Sequence, residues 1–306
     1  MRTSQILALV AALPSTLAAY KGFNYGSTGR DQAAFEGEFN SAKNLAGSSY
    51  TSARLYTMIQ DGTTNTPISA IPAAISTGTS LLLGLWASAG DDQFANELAA
   101  LNAAISQYGS AFTDLIAGIS VGSEDVYRIT PIGVASNAGV GVGPDVIINY
   151  MGQVRSAIAG TPAAGKPVGH VDTYNVWTNS SQNNLIAACD FIGMDAYPYY
   201  ETTKANSIGN ANATFWDDYD VTVAASQGRP VWITETGWPV SGPTMNEAVA
   251  SVDNAKTYYD DVACHAFASG VNTWWYILQD TGADPSFGLV GPGTPPPTTP
   301  IYSLSC

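Results

Sequence analysis

The regular alternation of short apolar runs with stretches of helical periodicity is the feature that most constrains the fold. Eight such runs, rich in β-branched or aromatic residues, occupy 21–25, 53–57, 81–86, 116–121, 167–173, 191–196, 231–235 and 271–277. Runs of this length and composition are typical of parallel strands that are buried on both faces. Between them, apolar residues recur at three- and four-residue steps, for example over 94–108, over 145–159 and over 246–269. Asp91 is placed to cap the first of these helices and Gly109 to end it.

Alternating strands and helices predict a parallel sheet with right-handed crossovers. Eight such units are the number that closes a (β/α)8 TIM barrel, which we expect to fill residues 20–306 as a single domain. An open doubly wound sheet of six or seven strands is the alternative. The first run is followed by GSTGR at 26–30, which lacks the GxGxxG spacing of a dinucleotide fold. The barrel is therefore preferred.

The first 19 residues read as a secretory signal peptide. Arg2 is followed by an apolar run over 6–14 and then by the small residues Ser15, Ala18 and Ala19. The run is too short to span a bilayer, and no later stretch reaches the ~20 apolar residues that spanning requires. We expect a secreted protein, extracellular or in a cell wall, with no membrane span, and a monomer by default.

The charge balance restricts the partners. The chain has 11 basic and 25 acidic residues, a formal net charge of −14. A nucleic-acid binder needs a basic surface to neutralise phosphates, so nucleic acid is excluded as a partner. The same negative field would repel an acidic polysaccharide, and a neutral substrate fits better.

Cysteines, histidines and sequons give further expectations. Three cysteines in an oxidising compartment favour one disulfide, and spacing leaves the pairing open; Cys264–Cys306 is preferred because it would tie down the C-terminus. Neither histidine lies at ligand spacing from a cysteine, so no metal site is expected. Asn179 and Asn212 each begin a glycosylation tripeptide.

Two glutamates end otherwise apolar runs. Glu124 follows the fourth run and Glu235 ends the seventh. In a barrel of this kind, active residues lie at the C-terminal ends of the strands, so the two carboxylates would face one site. Either one alone could be an ion-pair partner instead. Together they are the minimum equipment for cleaving a glycosidic bond, one protonated and one ionised.

Five segments resemble glycoside hydrolase family 17, most closely its fungal secreted endo-β-1,3-glucanases and β-1,3-glucanosyltransferases. They are KGFNYGS at 21–27, ARLYT at 53–57, VGSED at 121–125, GMDAYPYY at 193–200 and ITETGWP at 233–239. The resemblance implies a (β/α)8 barrel that acts on β-1,3-glucan without a metal or other cofactor. It also implies that Glu124 is the general acid/base and Glu235 the nucleophile of a retaining mechanism, with carboxyl groups ~5–5.5 Å apart.

Two departures from the family affect substrate contacts. Many members have Asn immediately before the acid, where this chain has Ser123. After the eighth run, WWYILQD at 274–280 replaces the acidic and basic residues of plant-type members.

Residues near the strand ends are candidates for binding sugar. Aromatic rings stack on the C–H faces of sugars, although any one of them could fill the core instead. Asn24 and Asp195 are candidates for orienting the glutamates or binding hydroxyl groups, and Arg54 for electrostatic support of a carboxylate. The aromatic candidates are Tyr25, Tyr56, Trp86, Tyr174, Tyr197, Trp238 and Trp275.

Three functions remain open at this point. The first is hydrolysis of internal β-1,3 bonds, and the second is transglycosylation that elongates or branches glucan. Both share their first chemical step, so the glutamates do not distinguish them. The third is a non-catalytic glucan-binding wall protein, which the retention of both glutamates disfavours.

Overall fold

The computed structural model describes residues 19–306, and its eight strands form a closed barrel in which every neighbouring pair is parallel. The signal-peptide prediction falls, apart from Ala19, outside the described residues. The closed barrel confirms the predicted fold class and rules out the open sheet. The strands are β1 (Lys21–Tyr25), β2 (Ser52–Leu55), β3 (Ser80–Leu85), β4 (Ile116–Ser123), β5 (Val168–Thr173), β6 (Ile192–Asp195), β7 (Val231–Glu235) and β8 (Thr273–Trp275).

Helices surround the barrel. They are α1 (Gln32–Lys43), α2 (Ala70–Thr77), α3 (Asp91–Tyr108), α4 (Ser110–Thr113), α5 (Asp125–Arg128), α6 (Pro131–Ala135), α7 (Pro144–Ile158), α8 (Tyr174–Trp177), α9 (Asn183–Ala188), α10 (Ile208–Ala225), α11 (Val252–Tyr258) and α12 (Cys264–Ala268). Short 3₁₀ turns cover Ser180–Gln182 and Pro198–Tyr200, and a π-helical segment, Tyr259–Ala263, joins α11 to α12.

Alternate residues of each strand point into the barrel, and large aromatic side chains fill its lower part. Trp232 stacks on Phe191 with 3.9 Å between ring centroids, and Trp274 lies 5.8 Å from Trp232. A Cβ on Gly118 would lie 2.9 Å from the Trp232 ring, so glycine there makes room for the indole. This largely apolar plug, in which Ser52 Oγ accepts from Trp274 Nε1 at 3.0 Å, fills the lower barrel. The buried polar residues Asn24, Arg54 and Asp195 lie at the upper, C-terminal end of their strands.

The opposite strand faces pack against the helices and form the main core. Phe23 stacks on Tyr50 with centroids 4.1 Å apart. Trp275 pairs in register with Phe23 and therefore shares its outward face. Each large apolar side chain buried in this way stabilises the fold by about 1.5–3 kcal/mol.

Two helix predictions are corrected. The helix expected over 246–269 begins at Val252, because Ser251 caps it by accepting from Asn254 N at 3.1 Å, and it passes through the π-helical segment. Asp91 does not cap α3: Gly90 holds that position, and Asp91 accepts from the Tyr150 hydroxyl at 2.5 Å instead. Gly109 ends α3 as expected, with φ 53°.

Cys264 and Cys306 form a disulfide, which confirms the expected pairing, and Cys189 is a buried free thiol. Over residues 19–306, none of the helices combines the length and apolarity that crossing a bilayer requires.

Candidate active site

The carboxylate of Glu235 is held by three donors at the C-terminal end of the barrel. Its Oε1 accepts from Arg54 Nη1 at 2.5 Å and from the Tyr56 hydroxyl at 2.6 Å, and its Oε2 accepts from the Tyr197 hydroxyl at 2.9 Å. Arg54 lies on β2, Tyr56 directly follows β2, and Tyr197 follows β6. In the barrel β6 is the neighbour of β7, and β2 is separated from β7 by β8 and β1. These three donors fix the orientation of the carboxylate and place a positive charge beside it.

Arg54 is fully buried and connects several strands. Its Nη1 also donates to Asn24 Oδ1 at 2.8 Å, and its Nη2 donates to Ser123 Oγ at 2.9 Å. Asn24 is fixed in turn, because its amide donates to the carbonyls of Thr234 and Trp274 at 3.1 and 3.2 Å. The structure therefore brings Arg54 and Asn24 to Glu235, and places Ser123 on the guanidinium.

Asp195 lies beside this group with its side chain 1% exposed. Its Oδ1 accepts from Thr234 Oγ1 at 2.6 Å, and its Oδ2 lies 4.0 Å from Arg54 Nη2. Burial and the neighbouring charge of Glu235 raise the pKa of Asp195 well above its ordinary value, despite the opposing charge of Arg54. Both carboxyl groups thus share one buried cation.

Glu124 follows β4 and lines the same cavity as Glu235, a space of about 330 Å³. Burial, and then the negative charges of Glu235 and Asp172, raise the pKa of Glu124 to about 8. At neutral pH this carboxyl group is protonated. The two groups thus differ as acid–nucleophile chemistry requires: Glu124 carries a proton, and Glu235 is bound by a cation and two hydroxyl donors.

Aromatic residues that sequence reasoning missed complete this cavity. Tyr200, Tyr276 and Phe287 line it together with Tyr197 and Asp280. Asp280 shapes the loop after β8 by accepting from Gly288 N at 2.9 Å and Ser286 Oγ at 2.6 Å. Tyr200 stood within the GMDAYPYY segment and could have been found there; the position of Phe287 carried no signal.

A second cavity of about 420 Å³ adjoins the first on the β1–β3 side. Trp86, Gln60, Gln93 and Glu97 line it, and Tyr56 lies between it and Glu235. Rings and amides in a groove of this kind suit the apolar faces and hydroxyl groups of a carbohydrate. The structure thus places two predicted aromatic residues, Tyr56 and Trp86, on a cleft wall.

Four predicted binding residues lie elsewhere. Tyr25, Trp238 and Trp275 are at most 3% exposed and belong to the core, because their rings turn toward the helices or pack beneath loops. The Tyr174 hydroxyl donates to Glu201 Oε2 at 3.3 Å, and Tyr174 lines neither cavity. The prediction of sugar contacts for Tyr25, Trp238 and Trp275 is therefore corrected.

Comparisons with known proteins agree with this geometry. The model of the BtgE/BtgC glycoside hydrolase domain matches residues 18–288. The chain is 56% identical over 315 aligned residues to a probable glucan endo-1,3-beta-glucosidase of Aspergillus fumigatus, covering all of this chain and 70% of that protein.

Solved structures give the same result. The crystal structure of a family 17 β-1,3-glucanosyltransferase from Rhizomucor miehei superposes with a TM-score of 0.72 at 27% identity, over 89% of this chain and 93% of that one. An active-site mutant of that enzyme in complex with laminaritriose superposes with a TM-score of 0.71. The chain therefore belongs to the BtgE/BtgC family of glycoside hydrolases, and the resemblance to family 17 that its motifs carry is confirmed.

Proposed function

We propose that this protein cleaves internal β-1,3-glucosidic bonds of β-1,3-glucan with retention of configuration, using Glu235 as nucleophile and Glu124 as general acid/base. One observation carries the assignment: two glutamates share one cavity, and among the contacts of residues 19–306 only Glu235 is held by cationic and hydroxyl donors. The relatives named above are a probable glucan endo-1,3-beta-glucosidase and a β-1,3-glucanosyltransferase. Their names support the choice of substrate.

The first step uses the protonated and the ionised glutamate together. Glu235 attacks the anomeric carbon, and the glycosidic C–O bond breaks. The departing oxygen keeps the bonding electron pair and takes the proton of Glu124. A glycosyl ester on Glu235 remains, and Glu124 is now an anion.

The second step reverses these roles. Glu124 takes a proton from water while the water oxygen attacks the anomeric carbon, which releases Glu235 as a carboxylate. Arg54, Tyr56 and Tyr197 hold that carboxylate at the start and at the end of the cycle. Glu124 transfers the proton and Glu235 forms and releases the glycosyl ester, so these two steps call for no metal or other cofactor.

Transglycosylation is the second candidate. It replaces water by a glucan hydroxyl in the second step, and the similarity to a solved β-1,3-glucanosyltransferase favours it. The aromatic side chains of Tyr200, Tyr276 and Phe287 could retain an acceptor sugar in the cavity that holds Glu124. Incubation with a reduced laminari-oligosaccharide distinguishes the two: products longer than the starting material require transfer.

Azide rescue tests the two glutamates. Glu235→Ala abolishes turnover, and azide restores it by attacking the anomeric carbon from the vacated side, which yields an α-glycosyl azide. Glu124→Ala, with an activated aryl substrate, gives the β-glycosyl azide because azide then replaces water in the second step. Exposed Glu247 supplies the matched control, and Glu247→Ala keeps full activity. Wild-type turnover by Glu235→Ala would overturn the assignment.

The cellular setting is part of the same proposal. Secretion through the N-terminal segment predicts a mature protein that begins near residue 20, which N-terminal sequencing of culture medium checks. Asn179 and Asn212 are both exposed, so glycosylation at either is sterically open. A mass loss after enzymatic deglycosylation would detect it, and light scattering would test the expected monomer.

A further inference from the structure

Glu124 has a backbone conformation that must be imposed from outside. Its φ is +58° and its ψ is 23°, the left-handed region that costs a non-glycine residue about 1–2 kcal/mol. Gly122, two residues earlier, also has positive φ, at +77°. A turn of this kind aims the side chain that follows β4, and it persists only where surrounding groups hold it.

Two buried aspartates hold the backbone on either side of Glu124. Asp125 Oδ2 accepts from Ser123 N at 2.7 Å. Asp172, at the end of β5, accepts from Val126 N at 3.0 Å and from Tyr127 N at 3.3 Å. Asp125 and Asp172 are at most 1% exposed, so neither has water to compete for these contacts. The N–H groups before and after the turn are thereby fixed.

His170 sits beneath Asp172 and is fully buried. Its Nδ1 lies 2.6 Å from the carbonyl oxygen of Val121, and its Nε2 lies 3.0 Å from Asp172 Oδ2. The Val121 carbonyl can only accept, so Nδ1 donates. Asp172 accepts from three backbone N–H groups, those of Val126, Tyr127 and Thr173, and we take it as the acceptor toward Nε2 as well. The ring is then an imidazolium that joins the end of β4 to Asp172.

The surrounding charges are consistent with a charged ring. Asp172 and Asp125 are the carboxylates that face it, and Arg128, which donates to Ser123 O at 2.6 Å, is the neighbouring cation. Two cations therefore balance two carboxylates. Burial lowers the pKa of His170, but the hydrogen bond and charge of Asp172 outweigh it, so the pKa is raised.

We propose that His170 is a positioning residue for the acid/base group: as a buried imidazolium it locks Asp172, and Asp172 holds the left-handed turn that aims Glu124 into the cleft. His170 touches no substrate and acts only through Asp172. The inference rests on the proposed function, because it takes Glu124 as the proton donor.

Leaving-group dependence tests this role. His170→Asn should lower kcat/KM on a laminari-oligosaccharide by about 10²-fold, since a misplaced catalytic group costs that much. On 2,4-dinitrophenyl β-laminaribioside, kcat/KM should be nearly unchanged, because that phenolate leaves without a proton. In both cases kcat/KM reports the first step alone. His265→Asn, which removes the exposed histidine on α12, should change neither value.

Equal losses on both substrates would overturn the proposal, because a merely structural defect does not depend on the leaving group. Glu124→Gln distinguishes failure of this proposal from failure of the proposed function. If the loss in that variant does not depend on the leaving group, then Glu124 is not the acid. Should His170→Asn fail to fold, the double variant His170→Asn/Asp172→Asn leaves no unpaired buried charge and carries the same kinetic test. The charge of the ring can also be read from ¹⁵N-histidine spectra. A His170 ring that is neutral at a pH below about 6.5, the ordinary histidine pKa, would overturn the proposal.

Discussion

Arg54 Nη1 lies 2.5 Å from Glu235 Oε1, in a contact whose two side chains are 1% and 12% exposed. The other terminal nitrogen of Arg54 donates to Ser123, the residue immediately before Glu124. One guanidinium therefore connects the strand end that carries the proposed nucleophile to the strand end that carries the proposed acid. Serine at 123, where many family members have asparagine, accepts from Arg54.

Replacing Arg54 should damage both stability and activity. Arg54→Met leaves Glu235 and Asp195 without their shared cation, and breaking a buried pair in this way costs about 3–5 kcal/mol. Arg54→Lys keeps the charge but cannot reach Asn24, Glu235 and Ser123 at once, so we expect an intermediate loss. Urea unfolding and kcat/KM on laminarin measure the two effects. A methionine variant as stable as the lysine variant would contradict the argument.

The two tyrosine hydroxyls on Glu235 should each contribute to catalysis. Tyr56→Phe and Tyr197→Phe remove one hydrogen bond from opposite carboxylate oxygens, and a hydrogen bond to a charged group is worth about 1.5–3 kcal/mol. We expect kcat to fall roughly 10–100-fold in each variant, because about 1.4 kcal/mol corresponds to a factor of ten. Tyr219→Phe is the control, because its hydroxyl donates to the Val231 carbonyl, at 3.3 Å, and not to Glu235. A loss in Tyr219→Phe equal to the others would indicate a general packing effect.

The barrel was predictable from sequence because periodicity is a local property. The strand bounds of β1 and β7 were predicted to the residue, and the others within two. The long helix expected over 246–269 was wrong at its start, because a residue distant in sequence holds the preceding loop: Asn206 donates to the Met245 carbonyl and accepts from Glu247 N, each at 3.0 Å.

Which of two neighbouring aromatic residues faces the cleft was not predictable. Trp274 and Trp275 are adjacent, and only the register of β8 against β1 places Trp274 inside the barrel and Trp275 toward the helices. Phe287 reaches the cavity from a loop that Asp280 organises, and no strand-end rule covers such a residue. The sequence thus predicted which residues lie at strand ends. It did not predict which loop residues reach the cavity or which side of a strand each aromatic side chain occupies.

Substitutions of core and cleft aromatic residues should affect different quantities, stability for the core and KM for the cleft. Trp275→Phe should destabilise the protein by about 1–3 kcal/mol and leave KM unchanged, because the ring packs among Tyr258 and Tyr259. Tyr200→Ala should raise KM for laminarin with little effect on the melting temperature, because this side chain is 46% exposed. Thermal unfolding and initial rates test both. If KM rose in Trp275→Phe without a loss of stability, Trp275 would be a binding residue after all.

Activity should fall as the pH rises through about 8. The first step needs the proton of Glu124, and burial with the nearby charge of Glu235 raises the pKa of Glu124 to about 8. The alkaline limb of kcat/KM reports this group in the free enzyme. Measured on the dinitrophenyl substrate, the same limb should disappear, since no proton is then required. An alkaline limb near the ordinary glutamate pKa of about 4.3 would contradict the assignment.

Glu124→Gln should stabilise the protein at neutral pH while abolishing proton donation. In the folded state the pKa of Glu124 is about 8, against 4.5 for the free side chain. Between these values the folded protein binds a proton that the unfolded chain lacks. This contribution to stability is therefore greatest below about pH 4.5 and declines as the pH rises toward 8. Glutamine is neutral at every pH in this range, so the free energy of unfolding of the variant does not decrease in this way.

The expected gain is roughly 3 kcal/mol near pH 7, and it should vanish at about pH 4, where glutamate is protonated in both states. Urea unfolding of both proteins at the two pH values measures it. Glu247→Gln is the matched control, because Glu247 is exposed, and it should show no gain. Equal stability of wild type and Glu124→Gln at pH 7 would mean that Glu124 is ionised in the folded protein, and such an anion could not protonate a departing sugar.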